Sequence, residues 1–309
     1  MKHNWRWVLV LMLLLVAVAT PVWAADEEIG VYVDGRALAM ESAPVIAEGR
    51  ILVPVRSIFE ALGAELQWTP ATQSVLASKN GRQVRMQIGQ SSVYIDSEVR
   101  LLDVPAQLIG DRTYVPLRFV AEAFDAAVAW DELTRSVRIA TTKVEGEQME
   151  VKPFGFSVFR PQGWLAQENW PGQAVRFTNL KQGEKGKVWE FFYVSVLRVD
   201  PEVDTLDKMK DHFISSAQST YKDFKLLSDT RITIAGSPAQ KIVYSSNENG
   251  VSITRMRVFT FTNDYVYLLG FTAETGNYGE FLPLVDHLLG SFTITGPVVE
   301  QQPEASPQS

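Results

Sequence analysis

Two stretches of this chain repeat at one fixed separation. Val31-Tyr32-Val33-Asp34 returns 62 residues later as Val93-Tyr94-Ile95-Asp96, and Val53-Pro54-Val55-Arg56 returns at the same offset as Val115-Pro116-Leu117-Arg118. No gap intervenes. The same offset places Arg50 on Arg112, Glu60 on Glu122, Trp68 on Trp130 and Ser74-Val75 on Ser136-Val137. A repeat this regular requires two equivalent supersecondary units packed against each other. It constrains architecture strongly and chemistry hardly at all.

Each copy, 31–78 and 93–140, reads alike. A short strand (Val31–Val33, Val93–Ile95) leads through a loop with Pro44 or Pro105 to an extended piece, Ile51–Val53 or Thr113–Val115. Pro54 or Pro116 ends that piece, where a missing N–H suits a helix start. The helix that follows carries apolar residues at i, i+3, i+4 and i+7: Val55, Ile58, Phe59, Leu62, and then Leu117, Val120, Ala121, Phe124. Gly63 stops the first helix with a residue free to take positive φ, and Asp125 replaces it less favourably in the second. A strand then leads to Trp68 or Trp130, and after a turn to a further strand (Ser74–Ala77, Ser136–Ala140). Val84–Ile88 alternates as one more strand without a counterpart in the second copy.

The ends locate the chain. Lys2, His3 and Arg6 precede an apolar run from Trp7 to Ala19. Pro21 and the small residues of Val22-Trp23-Ala24 then form a signal-peptide cleavage pattern, giving residues 1–24 as a leader. The competing reading, a retained anchor, wants about 20 apolar residues, and the run is shorter. Without the leader 27 basic and 36 acidic residues remain, an acidic balance that disfavours nucleic-acid binding. The chain has no cysteine, which excludes disulfides, thiolate metal sites and a lipidated cysteine. Together these predict a secreted protein of a bacterial cell envelope, with no membrane association after cleavage. Residues 296–309 are rich in Pro, Gln and Ser and read as a disordered tail.

The sequence divides into a repeat domain, 25–141, a polar linker, 142–150, and a second domain, 151–295. In the latter, strands are expected at Phe154–Arg160, Ala174–Thr178, Val188–Val199, Lys225–Ile234, Ala239–Ser246, Val251–Thr262 and Tyr265–Thr272. Helices are expected after Thr205 and near Phe281–Leu289. Strand runs with segregated helices give an α+β class.

On Gly49-Arg50 through Val53-Pro54-Val55-Arg56, Glu60–Ala64 and Trp68, then Asp111–Arg118 and Trp130, the repeat region resembles the copper amine oxidase N-terminal-like, or stalk, domain. The resemblance covers roughly Ile29–Ala140 and implies a scaffold or attachment module. The oxidase chemistry does not follow. Such enzymes hold copper on three histidines, because imidazole nitrogen suits Cu(II). Outside the leader only His212 and His287 remain, on different predicted helices. The cofactor-forming tyrosine context is also missing around Asn277-Tyr278-Gly279. On Gly155–Val158, Pro161–Trp164 and Gly236–Ala239 the C-terminal part resembles the PsbP-like fold. That implies an antiparallel sheet between helices and a mostly non-catalytic binding role.

Candidate contacts are few. Arg56–Glu60 and Arg118–Glu122 are i, i+4 pairs, read as local ion pairs rather than anion hooks. Trp68 and Trp130 repeat as expected core fillers. Trp164, Trp170 and Trp189 could line an apolar or carbohydrate-stacking groove. Trp164, after a Pro-x-Gly turn, reads as a buried plug, and Trp170 as the exposed aromatic of the three. No nucleophile elbow, zinc-helix motif or phosphate loop occurs, so no catalytic, cofactor or metal residue is assigned. Asp200–Asp207 lacks the spacing of a calcium loop and reads as helix capping. The preferred expectation is therefore a non-enzymatic envelope protein that binds a cell-wall component or envelope protein, its specific binding sought in the unrepeated half. The alternatives are an exported hydrolase accessory or weak enzyme using C-terminal carboxylates, and a purely structural spacer.

Overall fold

The computed structural model describes residues 28–179, 190–262 and 264–296. The first copy contributes β1 (Gly30–Val33), β2 (Arg36–Ala37), β3 (Val45–Ala47), β4 (Arg50–Pro54), α1 (Val55–Ala61), β5 (Glu65–Thr69) and β6 (Ser74–Lys79). The unduplicated β7 (Arg82–Gln87) follows. The second copy repeats the order as β8 (Ser92–Ile95), β9 (Glu98–Leu101), β10 (Gln107–Ile109), β11 (Arg112–Pro116), α2 (Leu117–Ala123), β12 (Ala127–Asp131) and β13 (Ser136–Ala140). Pro54 and Pro116 stand directly before the first helical residue in each copy. Gly63 and Asp125 both take positive φ, 72° and 60°, where the helices end. The less suitable Asp125 is supported from the unduplicated strand β7. Arg82 pairs with its carboxylate at 2.7 Å and donates to the orphan Ala123 carbonyl at 3.1 Å.

The copies interlock by exchanging strands. β4 and β11 pair antiparallel at the centre of a four-stranded sheet, β10-β11-β4-β3. The first strand of copy one, β1, joins copy two's hairpin by parallel pairing with β13, while β8 of copy two joins copy one's sheet beside β7. Helices α1 and α2 sink Ile58, Phe59, Val120 and Ala121 into the common core. Neither copy can bury its helix face alone, which is why the duplication folds as one unit.

The second domain contains β14 (Gly146–Val151), β15 (Phe156–Pro161), β16 (Trp164–Trp170), β17 (Gln173–Asn179), β18 (Phe191–Arg198) and α3 (Leu206–Thr220). After these come β19 (Lys225–Ile234), β20 (Ser237–Glu248), β21 (Val251–Phe261), β22 (Tyr265–Glu274), α4 (Tyr278–Ser291) and β23 (Thr293–Ile294). A seven-stranded antiparallel sheet, β16-β17-β18-β22-β21-β20-β19, forms its centre. Leu206, Met209, Phe213 and Ile214 of α3 cover Ile242, Phe259 and Val266 on one face. Leu282, Val285 and Leu288 of α4 cover Phe177, Phe192, Val258 and Phe271 on the other. This is the expected α+β architecture, a sheet between helices. Asp200 and Thr205 cap the helical turns around the acidic segment, as the sequence reading of that stretch required.

Two segments differ from the sequence reading. Residues 146–150 of the supposed linker are strand, paired with β15, so only a short connection separates the domains. β16 was not expected, because Gln167, Glu168 and Asn169 give it the polarity of a loop. Both are edge strands, whose outer positions face solvent and carry little apolar signal. The start of the strand read at Val188–Val199 lies outside the described residues, as do the leader and most of the tail. The halves are joined by packing as well as by chain: Ala129 of β12 is buried in the C-terminal core, and Lys241 pairs with Glu132 at 3.1 Å.

Candidate functional site

Strand exchange brings two sheet edges together. β3 is the edge of the central sheet, and β9 is the edge of the five-stranded sheet β5-β6-β7-β8-β9. Between them, closed by α2 and β12, lies a cavity of about 610 Å³, within the ordinary range for a ligand pocket. Its floor is apolar and built from buried residues, Leu102, Val104, Leu117, Val128 and Val137. Its mouth keeps large apolar side chains in water: Ile46 of β3, Leu101 of β9, which is 77% exposed, and Trp130 of β12. Exposed apolar groups gathered at one concavity mark a binding surface.

The charged groups of the cavity are paired. Arg50 donates to Asp103 across the two copies, and Arg118 lies 3.7 Å from Glu122 along α2. The Arg50–Asp103 pair has a counterpart under the repeat offset, Arg112–Glu41 at 3.7 Å. Arginine at this place in each copy therefore ties the copies to one another, a role the repetition of Arg50 and Arg112 signalled without revealing the partner. Both cavity carboxylates are thus engaged by guanidinium groups.

Of the sequence candidates, Arg118, Glu122 and Trp130 meet in this cavity. Arg56, Glu60 and Trp68 lie at the equivalent places of copy one. Arg56 and Glu60 form no ion pair among the described residues, whereas Arg118–Glu122 does. The tryptophans do not fill the core as expected. Trp68 is 45% and Trp130 is 38% exposed. Each sits opposite a buried valine, Val75 or Val137, at the end of its hairpin, so the indole covers that valine and presents its outer face to water. Ile46, Leu101 and the Asp103 partner of Arg50 were not singled out, since their convergence depends on strand exchange.

In the second domain Trp164 is buried, edge-on to Phe281 at 6.1 Å, and is the expected plug. Trp170 ends β16, is partly exposed, and has the Arg176 guanidinium 5.1 Å from its ring. Trp189 lies outside the described residues. His212 and His287 are on α3 and α4, the latter packed edge-on against Phe159 at 4.5 Å. No group of three or more metal-ligating side chains forms among the described residues.

Every residue that lines the cavity falls within one recognisable segment. Residues 32–139 match the copper amine oxidase N-terminal domain. The match is to that N-terminal domain, not to the family's catalytic domain. Over 104 residues the chain is 28% identical to a protein of Brevibacillus choshinensis named "Protease inhibitor". That alignment takes in 33% of this chain and 31% of the relative, so the chain spans about a third of that relative's length. Among solved structures the chain is similar to cyanobacterial PsbP (CyanoP) of Synechocystis sp. PCC 6803, with 15% identity and a TM-score of 0.39, over 50% of this chain and 94% of that one. It is also similar to LpqN, involved in cell envelope biogenesis of Mycobacterium tuberculosis, with 12% identity and a TM-score of 0.38, over 49% and 86% of the two chains. Among the described residues no helix is long and apolar enough to cross a membrane.

Proposed function

We propose that this is a secreted, non-enzymatic binding protein of a bacterial cell envelope, whose repeat domain attaches it to a cell-wall component or envelope protein. The observation that carries the reading is the cavity between β3 and β9, where Ile46, Leu101 and Trp130 stay exposed over an apolar floor while the neighbouring charges are paired. Such a surface favours capture over turnover, because no free carboxylate pair or nucleophile stands at it. The leader-like residues 1–24 and the similarity of residues 32–139 to a domain without its catalytic partner support the same reading. Purified protein lacking residues 1–24 is expected to be retained on isolated cell walls or envelope fractions, and Leu101→Glu to release it. Equal retention of the variant, or no retention of either, would overturn the proposal.

A second reading is favoured by the Brevibacillus relative, named a protease inhibitor: the chain blocks a protease. Inhibition of a secreted bacterial protease by the same purified chain, lost in Leu101→Glu, would move the proposal to this form. A panel of such proteases left at full activity would retire it.

A further inference from the structure

A separate cluster of side chains lies on the face of the seven-stranded sheet that α3 covers. One cross-strand row runs Arg176 of β17, Tyr193 of β18, Gly270 of β22 and Arg257 of β21. Directly opposed residues on antiparallel strands share a face. Gly270 leaves a gap in the row, and Tyr193 fills it: a Cβ at position 270 would lie 2.3 Å from the tyrosine ring. The ring thus reaches across β22 toward Arg257, whose guanidinium carbon stands 5.2 Å from its centroid. Arg257 is also 5.7 Å from the Tyr244 ring. On the opposite side of Tyr193, Arg176 lies 3.7 Å over Phe191 and 5.1 Å from Trp170.

The charges in this row are not balanced. Arg257 is 5% exposed and donates to two backbone carbonyls, Met256 at 2.8 Å and Phe271 at 3.2 Å; burial opposes its charge, while the tyrosines around it, Tyr193 foremost, hold the guanidinium above its ordinary value. Arg176 donates to the Thr178 hydroxyl at 3.3 Å, and burial pulls its guanidinium below the ordinary value. Neither forms an ion pair among the described residues. The next arginine on β21 shows the ordinary solution: Arg255 is held by Glu248 and by Ser246. A buried ion without a counter-charge costs several kcal/mol, and carbonyl dipoles and aromatic faces offset only part of that. Arg257 is such a cation, and the half-buried Arg176 stands in the same row of a chain whose acids outnumber its bases, 36 to 29. Beside them the hydroxyls of Tyr244 and Thr272 are buried without any hydrogen-bond partner. Thr272 is directly opposite Phe191 on one side and Arg255 on the other. Unmatched cations and unmatched hydroxyl donors share one remedy, an acceptor that carries negative charge.

We propose that Arg176, Tyr193 and Arg257, with the Thr272 and Tyr244 hydroxyls, form a binding site for an oxyanion group carried on a small aromatic or apolar body. The anion is a carboxylate, phosphate or sulfate. It enters past the partly exposed Trp170, which with Phe191 stacks the body, and it meets Arg176 before Arg257. This site lies on a different domain from the attachment cavity and takes a different chemistry, so it stands or falls independently of the proposed function.

The test is isothermal titration of the purified full-length mature chain, at constant ionic strength, with inorganic sulfate, inorganic phosphate and benzoate as separate probes. Saturable binding of at least one probe is expected, with affinity reduced tenfold or more in Arg176→Gln, a half-buried position whose change leaves the core intact. Arg257→Lys, which keeps the charge but loses the fork, should weaken binding similarly. Trp170→Ala should weaken benzoate selectively if the body stacks there, and Leu101→Glu should change nothing. Absence of saturable binding with all three probes, or unchanged affinity in Arg176→Gln, would overturn the site. The Arg176 variant decides the matter even where the Arg257 variant fails to fold. Tighter binding of benzoate than of the inorganic ions identifies a carboxylate on an aromatic body, and the reverse order a phosphate or sulfate.

Discussion

Val53 and Val115, which hold the same place in the two repeats, face each other across the β4–β11 ladder. Their neighbours match about this point, Pro54 opposite Tyr114 and Leu52 opposite Pro116. The ladder is therefore the local twofold centre of the duplication. The ion pairs Arg50–Asp103 and Arg112–Glu41 sit at equivalent distances in sequence on either side of it.

Both valines are fully buried, so truncation at this centre should be felt by both copies at once. Val53→Ala and Val115→Ala are each expected to cost about 1–3 kcal/mol, the range between losing one methyl group and a whole leucine side chain. Because the two residues touch, the double variant should depart from additivity by about 0.5 kcal/mol or more. Urea unfolding of the four proteins measures this. Strict additivity would mean that the copies are independent units.

Gly270 is irreplaceable for a different reason. With the Tyr193 ring 2.3 Å from the place of a Cβ, Gly270→Ala should cost about 1–3 kcal/mol by overpacking. Removing the obstacle should remove the cost: in a Tyr193→Ala background the same glycine change should fall to within about 0.5 kcal/mol of neutral. A thermal-unfolding cycle over the four variants tests the pair. An undiminished glycine effect in the Tyr193→Ala protein would show that the strand backbone, not the ring, is the constraint.

The two described tryptophans of the second domain should behave oppositely. Trp164 is buried against Phe281, so Trp164→Ala is expected to lose about 3–5 kcal/mol. Trp170 lies at the exposed end of β16, and Trp170→Ala should stay within about 0.5 kcal/mol of wild type. Parallel denaturation curves measure both. Equal losses would place Trp170 in the core.

How much of this was legible follows from what each signal encodes. The 62-residue offset and the prolines before each helix identified the repeats and their helices, because backbone-restricting residues act locally. Indole size does not say which face of β5 or β12 Trp68 and Trp130 occupy, and both stand partly in water where core positions are expected. β14 and β16 passed as linker and loop because an edge strand needs no apolar outer face. The cavity was invisible, since Ile46 and Leu101 meet only after the copies exchange β1 and β8. The Arg176–Tyr193–Gly270–Arg257 row was hidden likewise, because β18 pairs with β22, a strand far along the chain.

Alkaline pH should expose the junction between the halves. Burial, reinforced by the carboxylates of Glu132, Asp131 and Asp286, pushes the Tyr278 hydroxyl well above its ordinary 10.0. Burial pushes Tyr244 and Tyr267 upward too. In the unfolded chain these phenols ionise near pH 10, while in the folded chain they stay protonated to higher pH. Above pH 10 the unfolded state thus binds fewer protons than the native state, and stability must fall as pH rises. Below pH 10 both states keep the protons, and these groups contribute no slope. The urea midpoint is therefore expected to hold level, as far as these tyrosines govern it, up to about pH 10 and to decline beyond it. Tyr278→Phe, which removes one ionisable group without removing the ring that packs 5.7 Å from Phe271, should make the decline measurably shallower. An unchanged slope in that variant would assign the alkaline transition to groups away from the junction.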